Sequence, residues 1–280
     1  MKGKRIRWIL NICLLLVGLF FAYKAFSHFQ FLQEEKKSLE IYETLEKENF
    51  PKKGGESPKR DFSQMKALNP DFRAWIKGQG GRINYPLVQG RDNEHYLSTA
   101  ANGEKNALGS IFMDYRNGSL EDPFILIYGH MMKDDRMFGS LKDLKTQDGG
   151  PGDFSLDTGE KTYETQAVLT GLVSGEMKID PRDFATYARR QEFYQKIQKK
   201  ALYDQGYKLQ EEDRLVVLVT CSYEAENLRL LVVTLVKNEK WQTKMAPQAW
   251  ENQVWGSFYW KGELDLKVDF KIKRRNTLHK

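Results

Sequence analysis

Six stretches of the chain, 83–88, 110–114, 124–128, 162–173, 215–220 and 228–236, are apolar or alternating runs rich in β-branched and aromatic residues. Runs of that length and composition, bounded by Gly, Asp and Asn clusters, read as strands. No regular helix alternates with them. That excludes a doubly wound parallel sheet and predicts a mainly β fold, a closed or nearly closed barrel with peripheral helices. With 280 residues, of which 40% are hydrophobic, the chain has enough apolar material for one large domain with appendages.

The helical signals lie at the edges of this pattern. Residues 33–48 are strong helix formers with Leu39, Tyr42 and Leu45 at a spacing of three, which predicts a surface helix, mostly solvated. The Gly-, Pro- and Lys-rich segment 51–60 breaks it. Asp61 then caps a short helix bearing Phe62, Met65 and Leu68, and Asn69-Pro70 reads as the start of another that ends near Ile76. Between Asp180 and Gly206, Phe184, Tyr187, Ile197 and Leu202 recur at near-helical spacing, which predicts a long helix inserted between two late strands.

Residues 8–26 form a run interrupted only by Asn11 and Lys24. At ~1.5 Å per residue, 19 helical residues nearly span a ~30 Å hydrocarbon core. Lys2, Lys4, Arg5 and Arg7 precede the run with no intervening acid, so the positive-inside rule leaves the N-terminus in the cytoplasm and the rest outside. A cleaved signal peptide is the alternative, with Ala25 and Ser27 at the right mutual spacing. Either way the domain is exported. The formal charge of +6 sits at the two ends, in that basic flank and in Lys271, Lys273, Arg274, Arg275 and Lys280. The folded part is therefore net acidic, unlike a surface that tracks phosphates, and a nucleic-acid partner is excluded.

Export also singles out one thiol. Cys13 lies in the apolar run, leaving Cys221 without a partner in an oxidising compartment, where an unpaired cysteine is either an inert packing residue or a chemical group. Cys221 ends one strand (VVLVTC) and His130 follows another (FILIYGH). Arg229 opens the next strand after a short connection, so a hairpin returns it beside Cys221. A thiolate attacks acyl carbons, an imidazole protonates a departing amine, and a guanidinium supports substrate or oxyanion. Together the three residue types point to acyl transfer. Outside the anchor flank and the tail only His95, His130 and Cys221 are potential soft ligands, and none is paired at ligand spacing, so no metal site is expected. His95 reads as structural. No phosphate loop or dinucleotide fingerprint is present, and no cofactor is expected.

The stretches NPDFRAWIKG from Asn69, INYPLVQGRDNEHYL from Ile83, GSIFMDYRN from Gly109, ILIYGHMM from Ile125 and VTCSYEAENLRLLVV from Val219 together resemble class B sortases. The resemblance covers roughly residues 62–237. It implies a closed sortase barrel with an N-terminal helical pair and a helix inserted between late strands. It also implies a membrane-anchored cysteine transpeptidase of Gram-positive cell walls that needs no cofactor. Carried over by position, Cys221 is the nucleophile, His130 the general acid or base and Arg229 the group that steadies substrate and oxyanion. Thr220, Tyr223 and Glu224 stand as substrate contacts, although Glu224 also reads as a solvated loop carboxylate. The implied partners are a sorting signal, NPxTN-like or PxTG-like, cleaved after Thr, and an acceptor amine of a peptidoglycan precursor or a pilin. Where the family often has serine two residues before the nucleophile, this chain has Val219.

The expected organisation is a basic flank and anchor at 1–27, a helical stalk and linker at 28–60, a catalytic barrel at 61–237 and an extension at 238–280. That extension carries Trp241, Trp250, Trp255 and Trp260 and an alternating run at 264–273, and has no assigned role. Two other readings remain: a silent sortase-like module that holds sorting signals, and an L,D-transpeptidase-like enzyme, although Cys221 follows Thr220 rather than the His-Gly pair of that class.

Overall fold

The computed structural model describes residues 2–49, 61–146, 152–221 and 227–237. Nine strands are present among the described residues: β1 (Phe72–Gly78), β2 (Ile83–Val88), β3 (Ile111–Met113), β4 (Phe124–Tyr128), β5 (Asp153–Asp157), β6 (Thr162–Ser174), β7 (Ala201–Asp204), β8 (Leu215–Cys221) and β9 (Leu228–Val236). They form one sheet in the order β5-β1-β2-β3-β4-β8-β9-β6-β7, and β5 also pairs with β6. That extra pairing closes eight strands into a barrel and leaves β7 as a flap on β6. Closure removes the free edges that an open sheet of such apolar strands would expose.

The barrel sorts its side chains by strand alternation. Ile125, Ile127, Val216, Leu218, Leu230 and Val232 belong to the interior cluster. Their sequence neighbours Leu126, Val217, Leu231 and Val233 face outward yet are also buried. Strands covered on both faces read as continuous apolar runs, which is why β4, β8 and β9 lack a polar stripe. Part of the outer cover is α3 (Tyr187–Gln198), whose Phe193 meets Phe124 edge-on at 5.0 Å while Phe184 stacks on Phe124 at 4.3 Å. The helix lies so close to β6 that a Cβ at Gly171 would fall 2.8 Å from Ile197 Cγ2.

Several expectations are corrected. Asn69-Pro70 does not start a helix. Asn69 Oδ1 accepts from the Asp71 amide at 2.9 Å, turning the chain into β1, whose pairing with both β2 and β5 overrides the local helical signal. Strands β5 and β7 are additional to the six expected. The helix foreseen from 180 to 206 is only α3, capped by the Thr186 hydroxyl, and the residues after Lys200 pair with β6. The helical pair is α1 (Lys2–Asn49), continuous through the apolar run at 8–26 and the helical segment at 33–48, and α2 (Ser63–Leu68).

The stalk is not a solvated spacer where it meets the barrel. Ser38, Tyr42 and Leu45 are buried, and Tyr42 packs edge-on against Tyr85 at 5.3 Å. The Tyr42 hydroxyl donates to the Gly109 carbonyl and lies 3.1 Å from Ser110 Oγ. Burial raises the Tyr42 pKa, so the hydroxyl keeps its proton for that bond. Within α1, Asn11–Gln30 is long and apolar enough to cross a membrane.

Candidate active site

Cross-strand register builds the site. Phe112 pairs with Tyr128, Tyr128 with Val219, and Val219 with Leu231, so these side chains share the outer face of the sheet. Two residues beyond Val219, alternation returns Cys221 to the same face, opposite Arg229. Arg229 is in turn the partner of Val173 on β6. Strands β4 and β8 are parallel, and Gly129 N–H donates to the Val219 carbonyl at 3.2 Å. His130 and Cys221 therefore each stand two residues past a shared register point, at the same end of adjacent strands. All three expected catalytic residues line one cleft of about 680 Å³, with Phe112 and Tyr128 also on its surface. Cys221 is exposed in it, so the inert-packing alternative does not hold.

The His130 ring is held by its surroundings. Its Nε2 lies 2.8 Å from the Leu97 carbonyl oxygen, and a carbonyl only accepts, so Nε2 carries a proton. Nδ1 is left as the nitrogen that can gain or lose one. The Leu97 carbonyl is presented by a 3-10 turn at His95–Leu97, which Asp92 nucleates by accepting from the Glu94 and His95 amides, each at 2.8 Å. His95 lies in this short turn with its side chain exposed. Gly109 passes under the turn at φ +57°, where a Cβ would sit 2.6 Å from both the Tyr96 and the Leu97 carbonyl oxygens. A left-handed glycine is what admits this approach.

Beneath the cleft lies a polar hub that single-residue reasoning from the sequence missed. The Asp114 side chain is 0% exposed. Its Oδ1 accepts from Arg116 Nε at 2.8 Å and the Arg116 amide at 2.9 Å. Its Oδ2 accepts from Arg116 Nη2 at 2.6 Å, Asn93 Nδ2 at 2.8 Å and the Tyr128 hydroxyl at 3.0 Å. Burial alone would raise the Asp114 pKa, but the donors from Arg116 and Asn93 outweigh it and leave the carboxyl below its ordinary value. Tyr128 moves the other way: burial and the neighbouring Asp114 charge hold its hydroxyl protonated. The one sequence signal was the polar cluster DYRN directly after a strand, which reads equally well as a turn.

The two arginines of the cleft differ. Arg116 is spent on Asp114 and its neighbours, whereas Arg229 has no carboxylate partner among the described residues. A guanidinium paired across the ladder with a thiol, and without a carboxylate partner among the described residues, can receive a carbonyl oxygen or a developing oxyanion. Thr220 borders the same cleft, but its side chain is buried on the barrel-facing side with Leu230, so it offers the cleft its backbone rather than its hydroxyl. Tyr223 and Glu224 lie outside the described residues, as does the extension at 238–280. Among the described residues no group of three or more His, Cys, Asp or Glu side chains is placed to hold a metal ion.

The chain matches no protein-family model. It is 30% identical over 169 residues to Sortase B of Listeria monocytogenes, covering 59% of this chain and 69% of that protein. Against Sortase B of Staphylococcus aureus it is 29% identical over 244 residues, covering 84% of this chain and 98% of the relative. The structure of the S. aureus sortase B–substrate complex superposes with a TM-score of 0.65 at 27% identity, covering 74% of this chain and 99% of the other. These likenesses leave the L,D-transpeptidase reading without support. The barrel, the cleft between β4, β8 and β9, and these relatives agree, and the chain belongs to the class B sortase family of transpeptidases.

Proposed function

We propose that the protein is a membrane-anchored cysteine transpeptidase that cleaves a C-terminal sorting signal after Thr and passes the acyl group to an amine. The carrying observation is the Cys221–Arg229 pairing in a cleft that also holds His130 with Nε2 tied to Leu97. Cys221 Sγ, as thiolate, attacks the threonine carbonyl carbon, and Arg229 donates to the oxyanion that forms. The peptide C–N bond then breaks, the departing amine takes the proton from His130 Nδ1, and a thioester remains on Cys221. An incoming amine attacks that thioester, gives its proton back to His130 and releases the thiolate. Every proton is returned within the cycle, and no cofactor enters.

The family likeness supports a sorting signal as substrate, in this reading NPxTN-like or PxTG-like, with an acceptor amine on a peptidoglycan precursor or a pilin. The anchor reading is supported by the 11–30 segment of α1 and the basic residues ahead of it, and in this reading the barrel lies on the outer side of the membrane. In this reading the barrel is the catalytic unit.

The test is mass spectrometry of the full chain incubated with NPxTN-like and PxTG-like peptides. A mass increase on Cys221 equal to the acyl fragment is expected, discharged on adding a small amine such as triglycine. A Cys221→Ala variant that cleaves either peptide at the wild-type rate overturns the thiol mechanism. Binding without any cleavage by the wild-type protein would instead leave the silent module.

A further inference from the structure

One wall of the cleft is the segment from Gly175 to Ile179, which joins β6 to the 3-10 turn before α3. It contains Gly175, and little apolar packing holds it: Glu176 and Lys178 are exposed, and only Ile179 is buried. Its Gly175 end is held by a backbone hydrogen bond to the Asn227 carbonyl, and what ties its Ile179 end to the barrel is Arg116. While Nε and Nη2 grip the two oxygens of Asp114, Nη2 also donates to the Ile179 carbonyl at 2.9 Å, and Nη1 lies 3.4 Å from Asp180 Oδ2. All three guanidinium nitrogens are thus engaged, two of them on the wall. The same Asp114 carboxylate receives the Tyr128 hydroxyl and the Asn93 side-chain amide, both of residues that line the cleft. Floor and walls therefore share one buried anchor, and only a fork of fixed geometry spans it to the loop.

We infer that Arg116 is a positioning residue: it fastens the 175–180 wall to the Asp114 carboxylate under the floor and so sets the width of the cleft that a sorting peptide must fit. The inference rests on reading this cleft as the peptide site. It places Arg116 outside the chemistry. Its loss acts on peptide binding through the wall, and leaves the thiol of Cys221 as reactive as before.

The experiment uses Arg116→Lys in the full chain, because lysine keeps the charge opposite Asp114 but cannot reach Asp114, Ile179 and Asp180 together. Hydrogen exchange of peptides covering 174–180 is expected to speed up about tenfold. In the Cys221→Ala background, Kd for an NPxTN-like or PxTG-like peptide is expected to weaken about tenfold on adding Arg116→Lys. With Cys221 present, the alkylation rate by iodoacetamide is expected to stay within about twofold. Unchanged exchange overturns the clamp, and faster exchange with unchanged Kd overturns the positioning role. An alkylation rate that falls with Kd shows a general loss of the site and also overturns it. If Cys221→Ala itself binds neither peptide, the peptide-site reading fails, an outcome distinct from a parent that binds but ignores Arg116→Lys.

Discussion

Cys221 and Arg229 are direct partners across the antiparallel β8–β9 ladder, so a thiol and a guanidinium share one face at the open end of the sheet. Cβ atoms of such partners are ~4.5–5.5 Å apart, close enough for the longer side chain to serve whatever is bonded to the shorter one. Replacing Arg229 by Ala is expected to lower kcat by about 10²–10³, the usual loss for an oxyanion donor. Arg229→Lys should recover only part of it, since an ammonium lacks the planar fork. Steady-state cleavage of a quenched fluorescent sorting peptide measures both. A loss below about tenfold for the alanine variant refutes the assigned role.

His130 is half-buried and, among the described residues, its ring is hydrogen-bonded through Nε2 alone, so removing the ring disturbs chemistry far more than folding. His130→Ala is expected to reduce kcat/KM by about 10²–10⁴, with a melting temperature close to wild type. Peptide cleavage and thermal unfolding on the same preparation check the two halves. Full activity without the imidazole would remove His130 from the mechanism.

Gly109 links backbone strain to that imidazole. A methyl group here meets two backbone oxygens at 2.6 Å, one of them the Leu97 carbonyl that holds Nε2, and the residue's φ is +57°. Gly109→Ala is expected to destabilise the fold by about 1–3 kcal/mol and to lower kcat at saturating peptide. Denaturant unfolding together with kcat reports the pair. An unshifted midpoint with normal turnover shows that the turn yields freely.

Asp180 sets a pH window. Hydrogen bonds from Arg182, opposed by a little desolvation, and the charges of Arg116 and Arg182 lower its carboxyl from 3.8 to about 2. A group depressed on folding contributes stability that is complete above its unfolded pKa and disappears as pH falls through its folded value. The melting-temperature gap between wild type and Asp180→Asn is therefore expected to be constant from pH 8 to about 5 and to close between about 4 and 2. A gap that widens on acidification contradicts the sign.

How far the residues spoke for themselves differs from element to element. The runs at 124–128, 215–220 and 228–236 were legible as strands because each is apolar on both faces and bounded by turn residues. Strand β1 was not, because Asn69-Pro70 carries a cap signal that only pairing with β2 and β5 defeats. Strand β5 is short and polar on alternate positions, β7 has only four residues, and both exist as ladders on β6 rather than as patterns of their own. Residues 33–48 showed their Leu39, Tyr42 and Leu45 spacing, yet nothing local told that Tyr42 and Leu45 would be covered by the barrel.

The same division runs through the site. Chain order and residue type alone made Cys221, His130 and Arg229 candidates, since a lone thiol outside the apolar run and reactive groups at strand ends are properties of a linear string. What required three dimensions was their convergence and its support: the parallel β4–β8 register, the Leu97 carbonyl on Nε2, and the Asp114 carboxylate that joins Asn93, Arg116 and Tyr128. Local composition is encoded residue by residue, so it can be read in order. A hydrogen bond between positions 33 residues apart, or a pairing across a barrel, exists only after the chain has closed on itself.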